Sequence, residues 1–318
     1  GDGEGPYRLR PARPAHPARH GREGLVPARR AGAGAGGGGP ARAESTKVAD
    51  GVWYLAGTPD PNSQLVEFRD FLVLVESSVT EGRALANIAE AHRLAPGKPI
   101  KYHINTHHHS DHSAGLRAFV AEGSTIVTHE MNKKFYDDVV LKAPHTLEPD
   151  ALTKTPKPAQ FVYVKDKGKY VITDGVRTME IYHVDNGHAR NLLMTYLPKE
   201  KLLMITDIFN DFGMPRPNDP PAGLVSPYYA ALDTRLKELK LDVERLAPSH
   251  GRAVVPFSQF TEKVQGKVQP DRFSGGLRMS VTQVWDLATA RCRFGKFLRV
   301  TVNGKAPDVK RMLRDFPA

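Results

Sequence analysis

The segment Thr106–Gly115 (THHHSDHSAG) concentrates donor side chains as no other part of the chain does. It follows an apolar stretch that reads as a strand and precedes a stretch that reads as a helix. In extended backbone, residues two apart point the same way. His107 and His109 therefore face one point, while His108 faces elsewhere. Asp111 and His112 open the following helix, where neighbouring residues can reach a second point nearby. Imidazole nitrogen suits zinc, manganese and iron, and carboxylate tolerates all three. An affinity tag or a solvated histidine turn would lack the interleaved Asp, the strand in front and the small Ala114-Gly115 behind.

Three single residues extend this pattern. His188 lies in Asp185–Arg190 (DNGHAR) between two strands. Asp207 follows the apolar Leu202–Ile205 in LLMITDIF, and His250 follows a short strand in PSHG. Each sits near a strand end, where layered α/β proteins place functional groups. Any one alone would read as a structural residue. Together with the first segment they form a symmetric set: His107, His109 and His188 on one ion; Asp111, His112 and His250 on another; Asp207 between them. His129 and His183 are the decoys for ligands, with a core or supporting role expected for His183. His92 and His103 read as ordinary helix and strand residues. His145 falls in a loop that could reach substrate.

These residues resemble the metallo-β-lactamase superfamily, whose signature is HxHxDH followed by distant His, Asp and His. The resemblance runs from about Val48 to Gln265. It implies an α+β fold, a four-layer αββα sandwich with the metals at one edge of its two sheets. It also implies a dinuclear hydrolase with two Zn2+ (Mn2+ or Fe as alternatives) on the seven residues above. A water shared by two ions about 3.5–4 Å apart would ionise near neutral pH and attack a lactone, ester, thioester or β-lactam carbonyl. The ions would stabilise the charge that develops. Asp111 and Asp207 are the expected catalytic carboxylates, Asp111 passing a proton to the leaving group and Asp207 fixing the metal separation. Tyr228 and Tyr229 are candidates to donate to the carbonyl oxygen. Glu76-Ser77, Ala189 and Thr206 depart from residues common in the family at those places, and Glu76 is expected to anchor a ligand. The bridging Asp resembles thioesterases, lactonases and phosphodiesterases of the superfamily rather than its dedicated β-lactamases. A phosphodiesterase or nuclease on the same site, and a mononuclear iron persulfide dioxygenase, are the alternatives.

The elements needed to hold this site are legible in the pattern. Phe71–Val75 is a continuous apolar run, as expected of a strand covered on both faces. Thr80–Leu94 carries Ala84, Ile88, Ala91 and Leu94 at helical spacing and stops before Pro96-Gly97. Pro99–Asn105 is the next strand. Val48–Leu55 reads as one strand and Asp111–Ala121 as one helix. Further strands are expected at Leu65–Phe68, Thr125–Thr128, Phe161–Val164, Tyr170–Ile172, Thr178–His183, Leu192–Tyr196, Leu202–Ile205 and Arg245–Pro248. Helices are expected near Glu130–Val139, at Pro227–Leu241 and at Phe257–Val264. Residues 140–160 and 210–222 read as irregular loops on the substrate side.

Bulk properties bound the rest. The 318 residues are 40% hydrophobic and 25% charged, with room for a sizeable core. The net charge is +10, yet residues 1–43 hold eight Arg against three acids, half of that excess. With no basic stripe in the remainder, nucleic acid is disfavoured and a small-molecule substrate is expected. Residues 1–45 are a Gly/Pro/Ala/Arg-rich leader expected to stay disordered. Residues 46–270 are expected to form the catalytic domain. Residues 271–318 are expected to be a strand-rich extension that could extend a sheet or meet a second subunit in a homodimer. No apolar run of membrane-spanning length occurs, and none of export-signal length precedes Ala41–Ala43, which leaves the compartment open. The single Cys292 rules out a disulfide within the chain. There is no GxSxG element for a serine mechanism.

Overall fold

The computed structural model describes residues 41–57, 61–144, 148–210 and 225–265. The leader, apart from residues 41–45, and the C-terminal extension with Cys292 lie outside the described residues, as do His145 and the segment 211–224. Glu44 and Ser45 already belong to the first strand.

Seven strands form the first sheet, in sequential order: β1 (Glu44–Ala49), β2 (Val52–Ala56), β3 (Ser63–Glu67), β4 (Leu72–Val75), β5 (Ile100–Ile104), β6 (Thr125–His129) and β7 (Gln160–Val164). The pairings are antiparallel from β1 to β4 and parallel from β4 to β7. The second sheet runs β13-β12-β11-β10-β9-β8, built from β8 (Lys169–Thr173), β9 (Thr178–Val184), β10 (Leu192–Leu197), β11 (Leu202–Ile205), β12 (Arg245–Pro248) and β13 (Val255–Pro256). Only β11 and β12 pair in parallel there.

Side chains along β4 alternate between two cores, because successive residues of a strand face opposite ways. Val73 and Val75 join Ile104 and Val127 against Ile181, Leu193, Met204 and Ala247 of the second sheet. Leu72 and Leu74 face outward, onto Ala84, Ile88 and Ala91 of α1 (Glu81–Leu94) and Leu116 and Phe119 of α3 (Leu116–Glu122). The second sheet repeats the arrangement, with Leu203, Ile205 and Leu246 covered by Leu232 and Leu236 of α6 (Pro227–Leu239) and Phe260 of α7 (Ser258–Val264). Two sheets back to back with helices on both outer faces make the αββα sandwich. A fully buried leucine such as Leu74 is worth about 2–5 kcal/mol against alanine.

Two readings of the sequence need correction. Val48–Leu55 is not one strand: Gly51 takes a left-handed φ of +65°, so the chain turns back and β1 pairs with β2. Asp111–Ala121 is not one helix: α2 (Ser110–Ser113) ends at Ala114-Gly115, and α3 starts afresh. A Cβ at Gly115 would lie 2.0 Å from the Ser77 carbonyl oxygen, so glycine lets the two helices bend tightly over the end of β4. The expected helix at 130–139 is a 3-10 turn (Glu130–Asn132), α4 (Lys133–Phe135) and a π turn (Tyr136–Val140) in succession. The loop beyond it contains α5 (Ala151–Lys154), capped by Asp150, which also forms a two-bond ion pair with Arg117 of α3. Arg117 binds the Leu141 carbonyl as well, at 2.8 Å, so both ends of that loop are docked on the helical layer.

Candidate metal centre

The parallel strands of both sheets end on one edge, and the donor side chains stand there. Among the described residues, His107, His109 and His188 bring one nitrogen each within 4.8 Å of one another. Asp111, His112, Asp207 and His250 bring one carboxylate oxygen or imidazole nitrogen each within the same span beside them. In the first group, His107 Nε2 and His188 Nε2 are 3.3 Å apart. In the second, His112 Nε2 is 3.1 Å from His250 Nε2, 2.8 Å from Asp207 Oδ2 and 3.2 Å from Asp111 Oδ2. Asp207 also reaches the first group, its Oδ2 lying 3.5 Å from His107 Nε2 and 3.6 Å from His188 Nε2. Bonds of about 2.0–2.1 Å to a tetrahedral ion put its ligand atoms about 3.3 Å apart. Most of the distances fall close to that edge length. The donor set, five imidazoles and two carboxylates, is that of a divalent zinc-like ion. The seven residues expected from the sequence are brought together, and His108 is turned away, toward Asn191.

Backbone strain places the Asp207 carboxylate. Asp207 has φ of +54°, a left-handed conformation that few non-glycine residues adopt and that clusters at functional sites. Glu76 (+80°) and Ser78 (+67°) share it at the end of β4. Glu76 Oε2 lies 2.9 Å from His112 Nδ1, and both side chains are buried. With Nδ1–H donated to Glu76, the lone pair of His112 Nε2 points at the shared centre, the arrangement that fixes tautomer and orientation at metal sites. Thr106 Oγ1 stands 3.1 Å from His107 Nδ1. Asn186 Oδ1 accepts from the His188 N–H at 2.8 Å and shapes the loop that presents it. The His250 loop is tied to the first sheet, where Asn62 donates to the Gly251 carbonyl and to Tyr54, whose hydroxyl donates to the Pro248 carbonyl. Asn105, at the end of β5, donates to the His112 carbonyl at 2.8 Å.

The charges fit cation binding. Burial, and then the neighbouring His112, hold the His107 imidazole down at about 2, so its ring is neutral with a lone pair to give. Burial likewise lowers His109 and His188. Burial opposes a charge on His112, but Glu76, Asp111 and Asp207 outweigh it and raise its pKa well above the ordinary value. Hydrogen bonds from His112 and His250 keep Asp111 ionised far below the usual carboxylate range. Asp207 is likewise held ionised, the same two partners overcoming its burial.

The remaining candidates separate. Tyr229 is buried against Phe209 and Phe260 in the outer core of the second sheet. Tyr228 stands beside the centre, its ring 6.1 Å from that of His188. His92 bonds Glu122 at 2.8 Å, and His103 is buried against Phe119 with Nε2 2.5 Å from Ser77 Oγ. Ser249 contacts Thr206 Oγ1, a supporting position. Asn62, Asn105 and Asn186 were missed as site residues. Asn62 lies just before β3, and no spacing in the sequence singles out any of the three.

The sequence model described as the Metallo-beta-lactamase superfamily matches residues 56–250. The chain belongs to that superfamily. The solved metallo-beta-lactamase from Pontibacter korlensis is 17% identical, with a TM-score of 0.54, covering 72% of this chain and all of that one. The FIM-1 enzyme from Pseudomonas aeruginosa, in a mono-zinc form, is 18% identical with a TM-score of 0.52, over 70% of this chain and 94% of that one. At those identities the likeness is one of fold. The alkyl/aryl-sulfatase BDS1 of Saccharomyces cerevisiae is 30% identical over 76 residues, which are 24% of this chain and only 12% of that protein. Superfamily, fold and donor clusters together give this chain the metallo-β-lactamase fold with two adjoining groups of metal-ligating side chains. No described helix is long and apolar enough to cross a membrane.

Proposed function

We propose that the chain hydrolyses a small carbonyl substrate (a lactone, ester, thioester or β-lactam) at a dinuclear zinc centre. His107, His109 and His188 would hold one ion, Asp111, His112 and His250 the other, and Asp207 both. The observation that carries this reading is Asp207, whose two oxygens reach nitrogens of both groups. When bound, such ions lower the pKa of a shared water and polarise a carbonyl oxygen. The protein's own part is to fix that geometry. Asp207 holds the two groups at one separation on a backbone already committed to it. Asp111 is the more exposed carboxylate, with its side chain 39% accessible, and is ionised, so it can take a proton from water and return it to a leaving group. Glu76 keeps His112 oriented. Tyr228, whose ring is next to that of His188, would donate to a substrate oxygen.

The test is a substrate panel on zinc-loaded protein: 4-nitrophenyl acetate, an acyl-homoserine lactone, a thioester and a chromogenic β-lactam. Turnover of at least one, abolished in Asp207→Ala, supports the reading. Silence across the panel at full zinc occupancy overturns it.

The local likeness to an alkyl/aryl-sulfatase favours a second reading, in which the same centre cleaves a sulfate ester. Turnover of 4-nitrophenyl sulfate with a silent carbonyl panel would select it. Turnover of bis-4-nitrophenyl phosphate, or oxygen uptake with glutathione persulfide on an iron-loaded chain, would select the phosphodiesterase or the iron oxygenase.

A further inference from the structure

A third group of donors lies outside the centre described above. The chain passes from the first sheet to the second through the turn between β7 and β8, closed by a 2.8 Å bond from Gly168 N–H to the Lys165 carbonyl. Asp166 sits in this turn. His129, the last residue of β6, faces it from the first sheet, and His183 of β9 faces it from the second. His129 Nε2 is 3.2 Å and His183 Nδ1 4.0 Å from Asp166 Oδ1, and the two rings lie 4.3 Å apart. One atom from each residue falls within the span that a single ion can bridge.

Both imidazoles are buried, while the Asp166 side chain is 67% exposed, so the trio opens to solvent on one side only. His129 Nε2, though buried, meets only the Asp166 carboxylate, at 3.2 Å and without good hydrogen-bond alignment. His183 donates from Nε2 to the Arg190 carbonyl at 2.6 Å, which leaves the lone pair on Nδ1, the atom turned toward Asp166. That lone pair now accepts the Lys167 N–H at 2.8 Å. His129 Nδ1 accepts the Met131 N–H at 3.3 Å, a long bond at the start of a helical turn. An ion on His183 Nδ1 would displace the Lys167 N–H, and one on His129 Nε2 would move that ring's proton to Nδ1 at the expense of the long Met131 bond; Lys167 and Met131 are exposed residues, in a turn and at a helix start. Burial and the facing His183 keep His129 neutral, and Asp166 and Glu130 both act to hold positive charge beside it.

We propose that His129, Asp166 and His183 form a separate site for a nitrogen-seeking divalent cation such as zinc, which ties the two sheets together at their crossover. The site has three protein donors, leaving a fourth position for water. The ion joins residues from β6, β9 and the turn between the sheets. It stands independently of the reaction at the main centre.

Zinc content is measured by elemental mass spectrometry after dialysis of the full chain against micromolar free zinc, for the wild type and for Asp166→Ala. The exposed Asp166 can be replaced without disturbing the core, and His129→Gln serves as a second variant. One zinc fewer per chain is expected in Asp166→Ala, whatever the main centre holds. In an Asp207→Ala background, zinc is expected to raise the melting midpoint by about 3 °C or more beyond any rise seen in the Asp207→Ala, Asp166→Ala double variant. Magnesium, which avoids nitrogen donors, is expected to give no such rise. Equal zinc content in the wild type and Asp166→Ala would overturn the site and leave the trio a hydrogen-bonded contact between sheets. A magnesium effect equal to that of zinc would overturn the choice of cation.

Discussion

Replacing Glu76 with Gln separates a structural role of this carboxylate from a role in metal binding. Glu76 Oε2 accepts from His112 Nδ1 at 2.9 Å inside the protein. The substitution keeps the shape and removes the charge. A hydrogen bond to a charged group contributes about 1.5–3 kcal/mol, against about 0.5–1.5 kcal/mol for a neutral one. The basicity lost by His112 should therefore weaken the ion on Asp111, His112 and His250 by about 10- to 100-fold, the usual consequence of removing such a partner. The ion on His107, His109 and His188 should keep its affinity, because the contact of Glu76 is with His112 of the other group. The Gln also brings an amide N–H2 to the place of Oε1, which has no partner among the described residues, so folding should lose about 1–3 kcal/mol. Competition with a chromophoric zinc chelator gives the two affinities, and urea unfolding of the metal-free protein gives the stability. Equal zinc affinity at both positions in wild type and Glu76→Gln would refute the argument that Glu76 tunes His112.

Gly115→Ala should destabilise the fold by about 3 kcal/mol, because the new methyl meets backbone rather than a yielding side chain; an unchanged urea midpoint would contradict this. His103, held at about 3 by burial, makes stability depend on pH. Its folded pKa lies below the unfolded value near 6.5, so the unfolded chain takes up the proton first and stability falls as pH drops from about 6.5 toward 3. At pH 5 this amounts to about 2 kcal/mol relative to pH 7, and His103→Gln should lose that much less between the two pH values in urea titrations. Asp207→Ala should abolish turnover of whichever substrate is active, with a loss of at least about 1000-fold in kcat; a loss below 10-fold would remove Asp207 from the centre. Replacing Tyr228 with Phe should lower kcat by about 10- to 100-fold with metal content unchanged, and an unchanged kcat would return Tyr228 to a packing role.

The metal centre was legible because its donors come in a pattern with physical meaning. Two histidines separated by one residue on a strand, then Asp-His at a helix start, converge by backbone geometry alone. His188, Asp207 and His250 were readable only as a set. Glu76 was legible as an anchor, but its positive φ was not, since nothing in Val75-Glu76-Ser77 signals a left-handed residue. The hairpin at Gly51 was legible in Asp50-Gly51, a turn pair that interrupts the apolar run of Val48–Leu55, and reading the run as one strand passed over it. The break at Gly115 was missed because its cause, the Ser77 carbonyl, lies far away in sequence. His129 and His183, separated by more than fifty residues and joined by an ordinary surface Asp166, carried no local signal at all. Their meeting depends on the crossover between the sheets.

The central claim, two ions sharing Asp207, is tested most directly by metal content in a chain already carrying Asp166→Ala, which removes the third group. Elemental mass spectrometry of the zinc-loaded protein should find two zinc ions per chain, falling to one or none when Asp207→Ala is added. One zinc or fewer before that substitution, or two zinc ions retained after it, would contradict the account.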